Sequence, residues 1–316
     1  MTPNASDDPG LPAGAAGPRH AQARRAVAVA VAVGMLPLVL AATVLVVQNH
    51  QLERERVQQA ALSVARSLSA QVDGELKRIE AGLWILATSP LLQTDDLASF
   101  HQRASEAAKL QAINNYLLTD RDGRQTLNTL VPFGQPLPTK GTPAALRAVF
   151  SEDRAALTDL FIGPVTGTHV FAMGVPVRRQ GQVVYSLNIG MSSDRMATVM
   201  DQHYVPEGWI VAVLDGSGTI VARNREAQSF VGQPAVKPLL DRVARDREGV
   251  LETPTKEGIP VLLAYSQSAA SRWTVAVGVP SADRSRQSLR SLAGQIALVL
   301  LGWVASTAWV MKQRPA

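Results

Sequence analysis

Two stretches of the chain carry no charged residue: "AVAVAVAVGMLPLVLAATVLVV" (26–47) and "LAGQIALVLLGWVASTAWVM" (292–311). About 20 apolar residues in a helix cross a ~30 Å hydrocarbon core, so both runs predict membrane spans. The first is longer than the about 7–15 residues of a signal-peptide core and passes directly into a helical pattern. It therefore predicts an uncleaved anchor, and Pro37 within it suits a membrane helix. Between the runs, apolar residues first recur at helical spacing. Ala65, Leu68, Val72, Leu76, Ile79, Leu83 and Leu86 are 3, 4, 4, 3, 4 and 3 apart, one stripe of a helix over 48–88 that Ser89-Pro90 ends. A second helix is predicted near 95–111, capped by Thr94 or Asp95, with Leu97, Phe100, Ala104, Ala108 and Leu110 roughly on one face.

The period then shortens. "NYLLT" and "RQTLNT" flank Asp120-Arg121-Asp122-Gly123, the pattern of a hairpin whose glycine takes positive φ. A short helix is predicted at 143–152, beginning at Pro143. "HVFAMGVPV" (169–177) and "QVVYSLNIG" (182–190) form a second hairpin turning at Arg179-Gln180-Gly181. After a connecting helix at 192–203 the order recurs: a hairpin of "WIVAVLD" and "TIVARN", a helix at 235–247, then strands "GVLETPT", "IPVLLAYSQ" and "WTVAVGVP". Asp120 and Gly123 correspond to Asp215 and Gly218, 95 residues on, and "FGQPLP" (133–138) is echoed by "VGQPAV" (231–236). The fold class expected is α+β: a long N-terminal helix and two successive modules with antiparallel sheets, flanked by two transmembrane helices.

Composition sharpens the organisation. The 316 residues contain no cysteine, so an exported domain here relies on its apolar core rather than on disulfides. The net charge of +5 comes from scattered arginines, without a basic stripe interleaved with aromatics, which excludes a nucleic-acid partner. The expected divisions are 1–25, a disordered tail rich in Pro, Gly and Ala; 26–47, the first span; 48–111, the long and second helices; 112–191 and 192–290, the two modules; 291–311, the second span; and 312–316, a short tail.

Catalysis and metal binding find no support in the residue pattern. His20, His50, His101, His169 and His203 are isolated, and no pair has ligand spacing, so neither a metal nor another cofactor is expected. Gly216-Ser217-Gly218 lacks the lysine of a phosphate loop and turns between strands. Ser217 has no nucleophile-elbow context. Asp120, Asp122 and Asp215 read as turn formers. The chain is expected not to be an enzyme.

Taken in order, "YLLTDRDGRQTLNTLVPFGQPLP", "DLFIGPVTGTHVFAMGVPVRRQGQVVYSLNIGMS", "VPEGWIVAVLDGSGTIVARN", "FVGQPA" and "SRWTVAVGVP" resemble the double Cache region of bacterial receptors. This is a tandem PAS-like extracytoplasmic sensor, found among others in sensor histidine kinases with HWE-type kinase domains. The resemblance covers about 50–311 and implies a two-pass protein of the bacterial inner membrane that binds a small ligand. The narrow stripe of the long helix suits a parallel partner helix as well as packing on its own domain, so a homodimer through the long helix and membrane spans is expected. The sequence ends in "KQRPA" after the second run, so output is expected to go through a partner such as a separate kinase or cyclase, or through a domain missing from this chain. The alternative is a membrane-tethered scaffold or a truncated receptor remnant. The Arg, Trp, Tyr and Asp set by which such domains often hold amino acids is not found in the first module. A ligand pocket is expected on the first module's sheet, with Tyr116, Asn128, Asp159, His169, Phe171, Tyr185 and Asn188 as candidates. Strand alternation puts Val183, Tyr185, Leu187 and Ile189 on one face and Val184, Ser186 and Asn188 on the other, so Tyr185 and Asn188 share a face only if the strand bulges.

Orientation follows from basic residues near the membrane ends. Arg19, Arg24 and Arg25 precede the first run and Lys312 and Arg314 follow the second, which puts both termini in the cytoplasm. Reporter fusions at residue 160 and at the C-terminus are expected to report outside and inside respectively; an externally accessible C-terminus would contradict this topology.

Overall fold

The computed structural model describes residues 18–110, 113–137 and 143–281, together with 294, 301, 302 and 304. The chain divides into two compact units, one of 55–283 and one made of 1–54 with 284–316. The first apolar run falls within α1 (Pro18–Ala87), although most of its side chains lie outside the described residues. The second run lies almost wholly outside them. Among the described residues no helix is long and apolar enough to cross a membrane.

The stripe foreseen on the long helix is the face that α1 buries. Ala61, Ala65, Leu68, Val72, Leu76, Ile79, Leu83 and Ala87 are all buried. Ala87, not the half-buried Leu86, closes the stripe because the last step is four residues rather than three. After the short α2 (Pro90–Gln93) comes α3 (Leu97–Leu110). Its cap is Asp96, neither Thr94 nor Asp95: the Asp96 carboxylate accepts from the Ser99 N–H at 3.1 Å, while the Thr94 hydroxyl donates to the Pro90 carbonyl at 3.2 Å. Phe100, Ala104 and Ala108 form the buried face, and Leu110, two positions past Ala108 and so about 200° round the helix, is 88% exposed.

The first sheet contains β1 (Asn115–Thr119), β2 (Gln125–Asn128), β3 (Ala156–Leu157), β4 (Phe161–Ile162), β5 (His169–Arg179) and β6 (Gln182–Ser192). Its order is β2-β1-β6-β5-β3, with β4 also on β5. A 3₁₀ turn (Ala144–Arg147) and α4 (Ala148–Ser151) lie between β2 and β3. α5 (Asp194–Asp201) leads to the second sheet, ordered β8-β7-β11-β10-β9. Its strands are β7 (Ile210–Leu214), β8 (Ile220–Arg223), β9 (Glu248–Pro254), β10 (Pro260–Gln267) and β11 (Thr274–Pro280). α6 (Ala227–Phe230) and α7 (Lys237–Val243) separate β8 from β9. All neighbouring strands in both sheets are antiparallel.

The repeated Asp-x-x-Gly turns are built alike. In the first, the Asp120 carbonyl accepts from the Gly123 N–H at 3.0 Å and the carboxylate accepts from the Arg124 N–H at 2.9 Å. In the second, the Asp215 carbonyl accepts from the Gly218 N–H at 3.1 Å and the carboxylate accepts from the Thr219 N–H at 2.9 Å. The aspartate side chain replaces a missing ladder partner, and Gly123 (φ 80°) and Gly218 (φ 86°) take the left-handed step that closes the turn.

One continuous core joins α1 to both sheets. Leu118, Val175 and Leu187 from the first sheet and Val213, Ala264 and Val277 from the second belong to the same buried cluster as the α1 stripe. Polar contacts fix the helix along its length. Arg66 pairs with Glu248 through two bonds of 2.9 and 2.7 Å, Asp73 accepts from Ser268 and Ser271 at 2.7 and 2.9 Å, and the buried Glu75 accepts from Arg195 Nε at 2.8 Å. Truncating the stripe should therefore weaken both modules together. Leu83→Ala is expected to destabilise the protein by about 2–5 kcal/mol, while Ile85→Ala, on the exposed side of the same turn, changes stability by under about 0.5 kcal/mol; urea unfolding measures both.

Candidate functional site

The first sheet has two faces of different chemistry. The face towards α1 carries Tyr116 and Leu118 of β1, Phe171 and Met173 of β5, and Leu187, Ile189 and Met191 of β6. The opposite face carries Asn115, Leu117 and Thr119, whose cross-strand partners on β6 are Gly190, Asn188 and Ser186. On β2, Asn128 lies beside Leu117 and Gln125 beside Thr119. The 3₁₀ turn and α4 cover part of this face with Leu146 and Val149, which pack on Ala156 and Ala172.

Two polar clusters result. In one, Ser186 Oγ donates to Asn188 Oδ1 at 2.7 Å, and Asn188 Nδ2 donates to Thr119 Oγ1 at 3.2 Å and to the Ser186 carbonyl at 2.9 Å. Gly174 makes room for it, since a Cβ there would stand 2.1 Å from Asn188 Oδ1. Asn188 is thus consumed in holding the sheet. In the other, Asn115 Nδ2 donates to Asn128 Oδ1 at 3.0 Å and Asn128 Nδ2 donates to Gln125 Oε1 at 3.0 Å. Asn128 Oδ1 also accepts from the Leu130 N–H at 3.1 Å, which anchors the segment after β2. These three amides border a cavity of about 50 Å³. Its apolar wall includes Leu117, Leu146, Phe161, Pro164, Val165 and Val170.

Of the seven residues expected at a ligand pocket, only Asn128 lines this cavity. Tyr116, Phe171 and Tyr185 face α1 instead, because β1, β5 and β6 turn those positions to the helix. A bulge does exist on β6: Val177 pairs with Tyr185 and Arg178 with Val183, leaving Val184 unpaired. It puts Val184 on the α1 side with Tyr185, contrary to strict alternation, and does not bring Tyr185 to the face of Asn188. Tyr185 donates to Asp95 Oδ1 at 3.2 Å, and Arg179 lies 5.3 Å over its ring. Arg179 also donates to Asp95, which holds that carboxyl below the usual range.

Asp159, His169 and Phe171 mark the junction with the second module. Phe171 meets Trp273 edge-on at 5.0 Å between ring centroids. His169 packs so closely on Gly232 that a Cβ there would stand 2.1 Å from Nε2. The Leu160 N–H donates to Asp215 Oδ2 at 2.8 Å, and a Cβ on Gly216 would lie 3.1 Å from Asp159 Oδ1. Burial and then the neighbouring Asp215 charge push Asp159 above the ordinary carboxylate range, opposed by the Gly216 and Ser217 N–H groups and by Arg272.

Asn115 and Gln125 were not among the sequence candidates, yet the internal repeat contains the signal that finds them. At the offset of 95 residues, Asn115, Gln125 and Asn128 correspond to Ile210, Ile220 and Arg223. The pairings agree, Leu117 with Asn128 and Ala212 with Arg223. In the second module a matching cavity of about 60 Å³ has Ile210, Ile220 and Leu239 in its wall, and Arg223 is engaged by Glu257 at 2.7 Å. The amide trio therefore belongs to the first module alone. Two wider grooves, of about 430 and 510 Å³, run beside α1, but their Glu75, Arg195, Asp73 and Ser271 are the groups that fasten that helix.

A long helix carrying two antiparallel sheets is the architecture of double Cache sensor domains of histidine kinases and chemoreceptors, and the solved structures agree on that fold. The sensor domain of the Vibrio cholerae histidine kinase DctB superposes with a TM-score of 0.54 at 9% identity, over 72% of this chain and 98% of that one. The ligand-binding domain of the Pseudomonas fluorescens chemoreceptor CtaA, in complex with L-serine, gives 0.56 at 13% identity, over 72% and 99%. That of the Pseudomonas aeruginosa amino acid chemoreceptor PctB, in complex with L-Arg, gives 0.53 at 16% identity, over 73% and 97%. No protein-family model matches the chain. No curated protein matches it.

Because the folded state raises the affinity of Asp159 for its proton, this group contributes stability below the ordinary value of 3.8 that is lost as pH rises through the raised value. Asp159→Asn is accordingly expected to melt at a higher temperature than the parent at pH 7. The difference should close as the pH falls towards the ordinary carboxylate range; thermal melts across that range provide the check.

Proposed function

We propose that the chain is a membrane-anchored, extracytoplasmic sensor that binds a small molecule on the first module and passes a change of packing through the second. The carrying observation is the asymmetry of the repeat: three linked amides line the first module's cavity, whereas Ile210, Ile220 and an engaged Arg223 occupy the matching positions in the second. The relatives crystallised with L-serine and L-Arg support a ligand-binding role for this fold. The uncharged runs at 26–47 and 292–311 support two membrane spans in a bacterial inner membrane, with the sheets outside and both termini within. The second module, next in the chain to the second run, then lies nearer the membrane.

In this reading a ligand shifts the equilibrium between two packings only by its differential affinity for them. The contacts of Phe171 with Trp273, Leu160 with Asp215, and His169 with Gly232 join the modules where such a shift would pass. The protein performs no chemistry itself and hands its signal to a kinase or cyclase domain. The small cavity, with room for a few waters, is the one observation that favours a non-sensing scaffold instead.

A thermal-shift screen of the detergent-purified full chain against organic acids, amines, amino acids and nucleobases tests the assignment. A stabilising solute is expected, and its affinity should fall at least tenfold in Gln125→Ala. A solute that retains its affinity in Gln125→Ala and Asn128→Ala but loses it in Leu239→Trp would move the site to the second module.

A further inference from the structure

The lining of the first cavity restricts what enters it. Among the described residues that line it, none carries a charge. A buried ammonium or carboxylate without a partner costs several kcal/mol, and real sites supply a counter-charge or leave such groups in water. A free amino acid brings both charges. Asn114 and Thr166 also line it, and three of its polar side chains form a directed chain. Asn115 donates to Asn128, Asn128 donates to Gln125, and the bonds run one way. Such a chain ends in one acceptor, Asn115 Oδ1, and one donor group, Gln125 Nε2, neither with a partner among the described residues. An amide offers acceptor and donor atoms without ionising at any physiological pH.

We propose that the ligand is an uncharged molecule with an amide or lactam group whose carbonyl oxygen takes the Gln125 N–H. This rests on the sensor reading and specifies the chemistry of its site. The apolar remainder fits the wall of Leu117, Leu146, Phe161 and Val170, which favours a small ring over a flexible polar chain. The ligand must also be compact, because the cavity is only about 50 Å³ before it opens. The second module makes the contrast from within the same chain: where Asn128 stands in the first, Arg223 stands in the second and takes Glu257 as its partner.

Isothermal titration of the full chain in detergent micelles, with uracil and 2-pyrrolidone as neutral probes and L-serine, L-arginine and succinate as charged ones, tests the class. At least one lactam is expected to bind. Its affinity should fall tenfold or more both in Gln125→Leu, which removes the donor, and in Gln125→Glu, which sets a carboxylate against the ligand carbonyl. Gln125→Glu keeps an acceptor for the buried Asn128 Nδ2 and should keep the parent melting temperature, whereas Gln125→Leu strands that donor and should melt lower, so the Glu variant is the one that separates binding from folding. Binding of L-serine, L-arginine or succinate that changes tenfold in Gln125→Leu would overturn the neutral class and leave the sensor site standing. Failure of both lactams to bind would also overturn it; the sensor reading itself falls only if the wider solute screen finds no ligand at this cavity.

Discussion

One apolar stripe on one helix serves two sheets. Leu68, Val72, Leu76, Ile79 and Leu83 bury themselves in a single core that includes the inner faces of both modules. The first sheet adds α3, whose Phe100, Ala104 and Ala108 join the same core, but α1 is the helix that reaches both sheets. Burying apolar surface is the main favourable term in folding, so the two modules share their largest source of stability. The exposed Arg66–Glu248 pair then fixes rotation and register more than it adds energy, since exposed ion pairs contribute little.

Repetition with divergence explains the rest of the design. Both modules start with the same Asp-x-x-Gly turn, and each aspartate satisfies N–H groups of its own loop. Only Asp215 does more. Its second oxygen takes the Leu160 N–H, so the turn that closes the second hairpin also docks the first module. Asp215 is buried while Asp120 stays half-exposed, a difference of environment rather than of local conformation. The same division of labour separates Asn128, which joins a chain of amides beside one cavity, from Arg223, which lines the other and is held by Glu257.

Much of the fold was legible before the structure because its signals are local or strictly periodic. The spacing from Ala65 to Leu83, the glycines of the hairpin turns and the length of each strand set the elements and their order. The site was far less legible. Tyr116, Phe171 and Tyr185 are aromatic residues on strands of the right sheet, but strand parity turns them to the helix. Asp159 and His169 meet the second module, a relation between residues far apart in the chain that no local pattern encodes. Asn188 has the right face, yet Ser186 and Thr119 consume its hydrogen bonds. Asn115 and Gln125 were readable only by setting the two repeats side by side and asking where polar residues replace apolar ones.

The shared helix also limits how the protein can change in length. Each inserted residue turns everything beyond it by about 100°, so a single insertion in α1 between its second-sheet and first-sheet contacts would swing one half of the stripe out of the core. Seven residues nearly restore the phase and add about 10 Å. The distance between the modules is therefore quantised: it can change in steps that nearly restore the helix phase, such as seven or eleven residues, while other spacings would have to be absorbed by a bulge in the helix or by abandoning one of the two sheets.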